Sequence, residues 1–157
     1  MILNVHSYAS YLSAPKARSP AGGYFFLGSI PGDTEPNFIN GAIHITCTIF
    51  KLVVASAAED ELGALFLNAQ EAKVIRLVLK ELGHPQPPTP IHVNNTTTVG
   101  IVNSTIKRQG SRAMELRYFW LLDGKVQKLF HFYYQPGQEN LGNYPSKHHS
   151  ADIHQHV

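Results

Sequence analysis

Only one cysteine, Cys47, occurs in the 157 residues, which excludes an intramolecular disulfide and fits a reducing intracellular compartment, cytoplasmic or nuclear. Charge is sparse too, at 15% Asp, Glu, Lys and Arg with a formal net charge of +2, so nucleic-acid binding is permitted but not demanded. The most apolar run, residues 49–58, is interrupted by Lys51 and falls far short of a membrane span. Residues 1–8 have no basic leader and no long apolar centre, so they do not resemble a secretory signal. No glycine-rich phosphate loop and no nucleophile elbow are present; AGGYFF at 21–26 reads as entry to a strand. No internal repeat and no second domain are visible. The length and a 43% hydrophobic content suffice for one domain with a proper core.

One stretch dominates what is there. Over residues 56–83, Ala58, Leu62, Leu65, Ala69, Ala72, Ile75, Leu79 and Leu82 recur at three- and four-residue steps, the spacing of a core-facing helical stripe. Phe66, Val74, Leu77 and Val78 widen that stripe and predict a helix buried on much of its circumference. Ser56 with Glu59 three residues on is a capping box, and Gly83 and Pro85 mark the stop. Glu59 and Asp60 are then cap and solvated face, and Glu61 stands beside the stripe.

Period-two alternation predicts strands at 2–8 and 42–50, and an aromatic run bounded by turn residues predicts another at 23–29. PGDTEP at 31–36 reads as a hairpin-like loop. The proline-dense 84–90 is a connector, followed by a short buried strand at 90–94. A short helix at 96–106, a basic loop at 107–112, a helix at 112–127 with Met114, Tyr118, Leu121 and Leu122 inward, and an aromatic strand at 129–134 follow. Residues 138–149 read as a helix limited by Pro145, and 150–157 as a frayed His-containing tail after a domain at 1–149. This order implies a five-stranded mixed α/β sheet covered by helices. The expected core includes Val5, Phe26, Ile45, Leu62, Leu65, Ile75, Ile91, Val93 and Phe132.

The order and six motifs resemble the ribonuclease H domain of copia-type retrotransposon polyproteins. They are VHSYASY at 5–11, AGGYFFLGS at 21–29, SAAEDELGAL at 56–65, PIHVNNTTTVGIV at 90–102, RAMELRYFWL at 112–121 and QPGQENLGNYPSK at 135–147. The resemblance covers nearly the whole chain. It implies a ribonuclease H-like fold whose first three strands are antiparallel, with the strands near Tyr8 and Asn94 adjacent and parallel. It also implies an ancestral activity, two-Mg²⁺ hydrolysis of RNA in RNA/DNA hybrids by four carboxylates. Carried across position by position, the tetrad becomes Tyr8, Glu61, Asn94 and Asn143, of which only Glu61 keeps its carboxylate. Tyr8 is a bulky neutral phenol, and each Asn exchanges an anionic oxygen for an NH₂ that cannot ligate.

That substitution pattern predicts a degenerate site, with Mg²⁺ absent or weakly held and nuclease activity lost. Asp152 is a weak further metal candidate beside Glu61, because its Ser-Ala-Asp-Ile segment also resembles the family's closing motif. His148, His149, His154 and His156 belong to a soluble tail more readily than to a transition-metal site, with no cysteine nearby. Lys107, Arg108, Arg112 and Arg117 form either a salt-sensitive phosphate-binding patch or a merely solvated basic face. Three outcomes stay open: a hybrid-binding domain without nuclease activity, a weakly active Mg²⁺-dependent ribonuclease H, or a structural or protein-interaction domain whose protein partners the sequence does not name. No membrane association is expected.

Overall fold

The computed structural model describes residues 1–30, 40–51, 53–103, 112–147 and 149–154, without the side chains of 112–114, 153 and 154. In chain order the elements are β1 (Ile2–Ala9), β2 (Pro20–Gly28), β3 (Ala42–Ile49), α1 (Ala57–Glu81), β4 (Thr89–Val93), α2 (Thr96–Val102), α3 (Arg112–Val126), β5 (Phe130–Tyr134), α4 (Asn143–Ser146) and α5 (Ala151–His154). The sheet order is β3-β2-β1-β4-β5. The first three strands pair antiparallel. The α1 crossover then lays β4 parallel to β1, with Ser7 opposite Val93, and β5 follows parallel to β4. Tyr8, still paired with Gly22 of β2, and Asn94, just past the end of β4, each follow that pair by one residue. The expected mixed five-stranded sheet is the one observed.

One face of the sheet packs on α1. Leu3, Val5, Phe25, Ile91, Val93 and Phe132 meet Leu62, Leu65, Ala69, Ala72 and Leu79, and Leu121 of α3 closes the cluster. Phe66 of α1 and Trp120 of α3 meet edge-to-face at 5.3 Å between centroids. Arg76 ties α1 to the proline-rich connector, donating to Pro87 O and Thr89 Oγ1. The fold thus holds a non-repetitive segment through its carbonyls rather than through packing.

Several expectations need correction. Val74, Leu77, Val78 and Leu82 are exposed, so α1 is buried on one side only; the sheet, α2 and α3 all meet that side. Ile45 is half exposed, because β3 is an edge strand. His44 and Thr46 turn toward α1, against Glu71 and Asn68, which sends Ile43, Ile45 and Ile49 to the other face. Ile75 is half-buried against the core, while the other expected core residues are buried. Glu59 and Asp60 are not solvated but buried, and Glu59 accepts from the amide of Ala55 while Ser56 Oγ accepts from Glu59 N. The helix expected at 138–149 shrinks to α4, with turns before it. The loop at 31–36, residues 104–106 and most of the basic loop lie outside the described residues, as does the side chain of Met114.

The strand alternation of β1 was expected to separate a buried from an open face, yet Asn4 and His6 are as buried as Leu3 and Val5. On the face away from α1, rings form a band across four strands. His6 packs edge-on to Phe26 and to His92, at 5.3 and 5.0 Å, and His92 stacks on Tyr133 at 5.7 Å.

Candidate functional site

Two asparagines that the sequence reading did not single out tie the end of β1 to its surroundings, Asn68 to α1, β2 and β3 and Asn140 to β4. Asn68, buried on α1, donates to Ser7 Oγ and Gly22 O and accepts from Thr46 Oγ1, so one amide joins the helix to three strands. Asn140 donates to Ser7 O at 3.0 Å and His92 O at 3.3 Å, and its own carbonyl oxygen caps Gly142 N. Beside it, Leu141 N donates to His6 Nδ1 at 3.0 Å. These bonds press the segment before α4 flat on the sheet. A Cβ on Gly22 would stand 2.1 Å from Gly142 O, so glycine is needed at that crossing. Neither asparagine is marked by its neighbours in sequence, since the partners that join it to the sheet are distant in the chain.

The four positions singled out by resemblance lie around this knot. Glu61, in the first turns of α1, is buried, and its Oε1 accepts from the amide of Ala9, the residue after Tyr8, at 3.0 Å. Its Oε2 has no hydrogen-bond partner among the described residues. Burial pushes its carboxyl up to about 8; the neighbouring Asp60 adds to this, while the Ala9 amide and the Lys147 ammonium oppose it. Burial thus favours the protonated form of Glu61 toward neutral pH. Burial also raises Asp60, against a smaller opposing pull from the Ser19 hydroxyl, although neither Asp60 oxygen reaches hydrogen-bond geometry. Tyr8 is buried, and Lys147, just past α4, donates to its hydroxyl and sets its Nζ 4.6 Å from the ring centroid. Asn94 and Asn143 are half-buried, each with an Oδ1 that finds no donor among the described residues. Tyr8, Glu61 and Lys147 thus share one environment, Asn94 and Tyr8 each follow the Ser7–Val93 pair by one residue, and Asn143 opens α4, which packs on β1 and β2.

The remaining candidates fall elsewhere. Arg117 sets its guanidinium 5.6 Å from the Phe66 ring and lines an apolar hollow with Phe50 and Leu67. Lys107, Arg108 and the Arg112 side chain lie outside the described residues. Asp152 is exposed on α5. His149 stacks on Tyr144 with Nε2 3.0 Å from Tyr144 O, and His148, His156 and the His154 side chain lie outside the described residues.

Among solved structures, the chain is similar to LC11 ribonuclease H1, determined in complex with an RNA/DNA hybrid, with TM-score 0.60 and 10% identity over 88% of each chain. The fold is that of ribonuclease H. The N-terminal ribonuclease H domain of a Mycobacterium tuberculosis protein superposes with TM-score 0.55 and 10% identity over 88% of this chain and 84% of that one. Ribonuclease H1 of the archaeon Halobacterium salinarum gives TM-score 0.55 and 12% identity over 89% of both. No family model and no curated protein matches the chain.

A ribonuclease H fold with its usual chemistry calls for Mg²⁺, and the residues here do not fit it. Mg²⁺ is held by anionic oxygens that repay its reluctance to shed water. The positions that the resemblance assigns to the four carboxylates hold a phenol, two amides and one carboxyl, Glu61, whose pKa burial raises; the nearby Asp60 carboxyl is raised by burial too, and an ammonium already stands at the phenol. Among the described residues no three His, Cys, Asp or Glu side chains group to hold a metal, and no helix is long and apolar enough to cross a membrane.

Proposed function

We propose that this chain is a ribonuclease H-like domain, descended from a copia-type retrotransposon polyprotein, that binds RNA/DNA hybrid without cleaving it. The observation that carries the reading is the donor set of the cleft. A buried Glu61, its protonated form favoured toward neutral pH, and a lysine at Tyr8 occupy positions where hydrolysis would need clustered negative charge. The descent rests on six motifs in matching order along the chain. Hybrid binding rests on the fold, shared with an enzyme solved on such a hybrid, and on the mild positive charge of the chain. Without a metal, this chain's residues can orient and neutralise a nucleic-acid backbone but cannot activate water at it.

Fluorescence anisotropy with labelled RNA/DNA hybrid, in EDTA and then in Mg²⁺, tests both halves. Salt-sensitive binding of similar strength in the two buffers, with intact RNA after prolonged incubation in Mg²⁺, is the expected result. Mg²⁺-dependent cleavage would overturn the loss of catalysis. Absence of binding at low salt would favour a structural or protein-interaction role instead.

A further inference from the structure

Lys147 is exposed, yet its ammonium is not free to wander: it donates a hydrogen bond to the Tyr8 hydroxyl and lies 4.6 Å from the ring centroid. No ion pair of Lys147 with a carboxylate is found among the described residues. One carboxyl that acts on it is Glu61, whose Oε1 is engaged by the Ala9 amide rather than by the lysine. The result is an exposed ammonium anchored on a phenol, with no carboxylate in direct contact among the described residues.

The phenol adds a second donor. Because the lysine donates to Tyr8 Oη, the phenolic O–H remains available to donate in its turn. An ammonium and a hydroxyl side by side, both donors, suit the two unesterified oxygens of a phosphodiester. We propose that Lys147 and Tyr8 form a metal-independent site for one backbone phosphate of a bound nucleic acid. The proposal rests on the hybrid-binding reading for its biological ligand, but its chemistry can be tested apart from it.

Two measurements on the full chain separate the claims. In the first, hybrid affinity is followed against salt in EDTA at pH 7 for the parent, Lys147→Gln, Lys147→Arg and, as a control at the far end of α1, Lys80→Gln. Lys147→Gln should weaken binding roughly tenfold at low salt and reduce the slope of log K against log salt by about one, the signature of one lost phosphate contact. Lys147→Arg should keep the slope, and Lys80→Gln should change neither quantity. In the second, inorganic pyrophosphate is titrated while the Tyr8 ring resonances are followed by NMR. They should move in the parent and stay still in Lys147→Gln. Hybrid binding with an unchanged slope in Lys147→Gln and no movement of Tyr8 in the parent would overturn the phosphate site while leaving the functional reading intact. Movement of Tyr8 in a parent that binds no hybrid would overturn that reading and support the site.

Discussion

Asn68 shows how much one side chain can organise. Its amide bonds Ser7, Gly22 and Thr46 at once, inside the protein, where an unmade bond costs the full desolvation of the group left behind. Asn68→Ala should destabilise the fold by about 2–4 kcal/mol, read as a lower denaturant midpoint with an unchanged m-value. Restoration of charge tests the cleft from the opposite direction. Tyr8→Asp, Asn94→Asp and Asn143→Asp together should lower the melting temperature in EDTA, since carboxylates crowded around Glu61 repel one another. Millimolar Mg²⁺ should recover it by binding the folded form alone. Identical melting in both buffers would mean that the four positions do not converge. At this scale the sequence shows which residue types stand at the positions that the resemblance assigns to carboxylates, because residue types within motifs are local information. It did not show Asn68, Asn140 or Lys147, whose meaning lies in partners up to 139 residues away.

The ends of α1 and α3 were both legible to within a residue or two, but only the first is marked by a glycine. After α1, His84 N bonds Leu79 O and Gly83 N bonds Lys80 O, with Gly83 left-handed at φ +88°. After α3 the same pair of bonds recurs, from Leu129 N to Gly124 O and from Lys128 N to Lys125 O, but the left-handed residue is Lys128 at φ +57°. A side chain there opposes the conformation, whereas glycine adopts it without strain. Lys128→Gly should therefore raise stability by about 0.5–1 kcal/mol, and Gly83→Ala should lower it by about 1 kcal/mol; thermal melts of the two variants check the opposite signs. Nothing stands within 4 Å of a Cβ at Gly83, so that loss would be conformational rather than steric. The strands were legible through their alternation, but not their burial, which depends on whether a strand is central like β1 or at the edge like β3.

For the molecule as a whole, three buried ionisable groups set opposing responses to pH. Burial lowers His6 to about 3, helped by repulsion from His92, and lowers His92 to about 4. The unfolded chain takes up protons on both rings below their ordinary 6.5, while the folded chain does so only near 3 to 4. Their contribution is thus present above pH 6.5 and lost as pH falls toward 3. Glu61 runs the other way: folded, it keeps its proton up to about 8, so its contribution is present below 4.5 and lost as pH rises through 8. Melting temperature should peak between these limits. His92→Phe should shift the acid limb to lower pH, and Glu61→Gln should stabilise the protein at pH 8, by on the order of 2 kcal/mol, but hardly at pH 4.5. The knot of Asn140 and Leu141 on Ser7, His6 and His92 has a consequence in time as well. It joins residues 133 and 135 positions apart, so it closes two of the long loops among the described residues. The sheet and α1 can collapse on shorter contacts beforehand, but the cleft cannot exist until nearly the whole chain is present and the last segment lies down. The part of the molecule proposed to meet nucleic acid is then the last to form in folding and the first to open, and amide exchange at Leu141 and Gly142 should outpace that of the central strands.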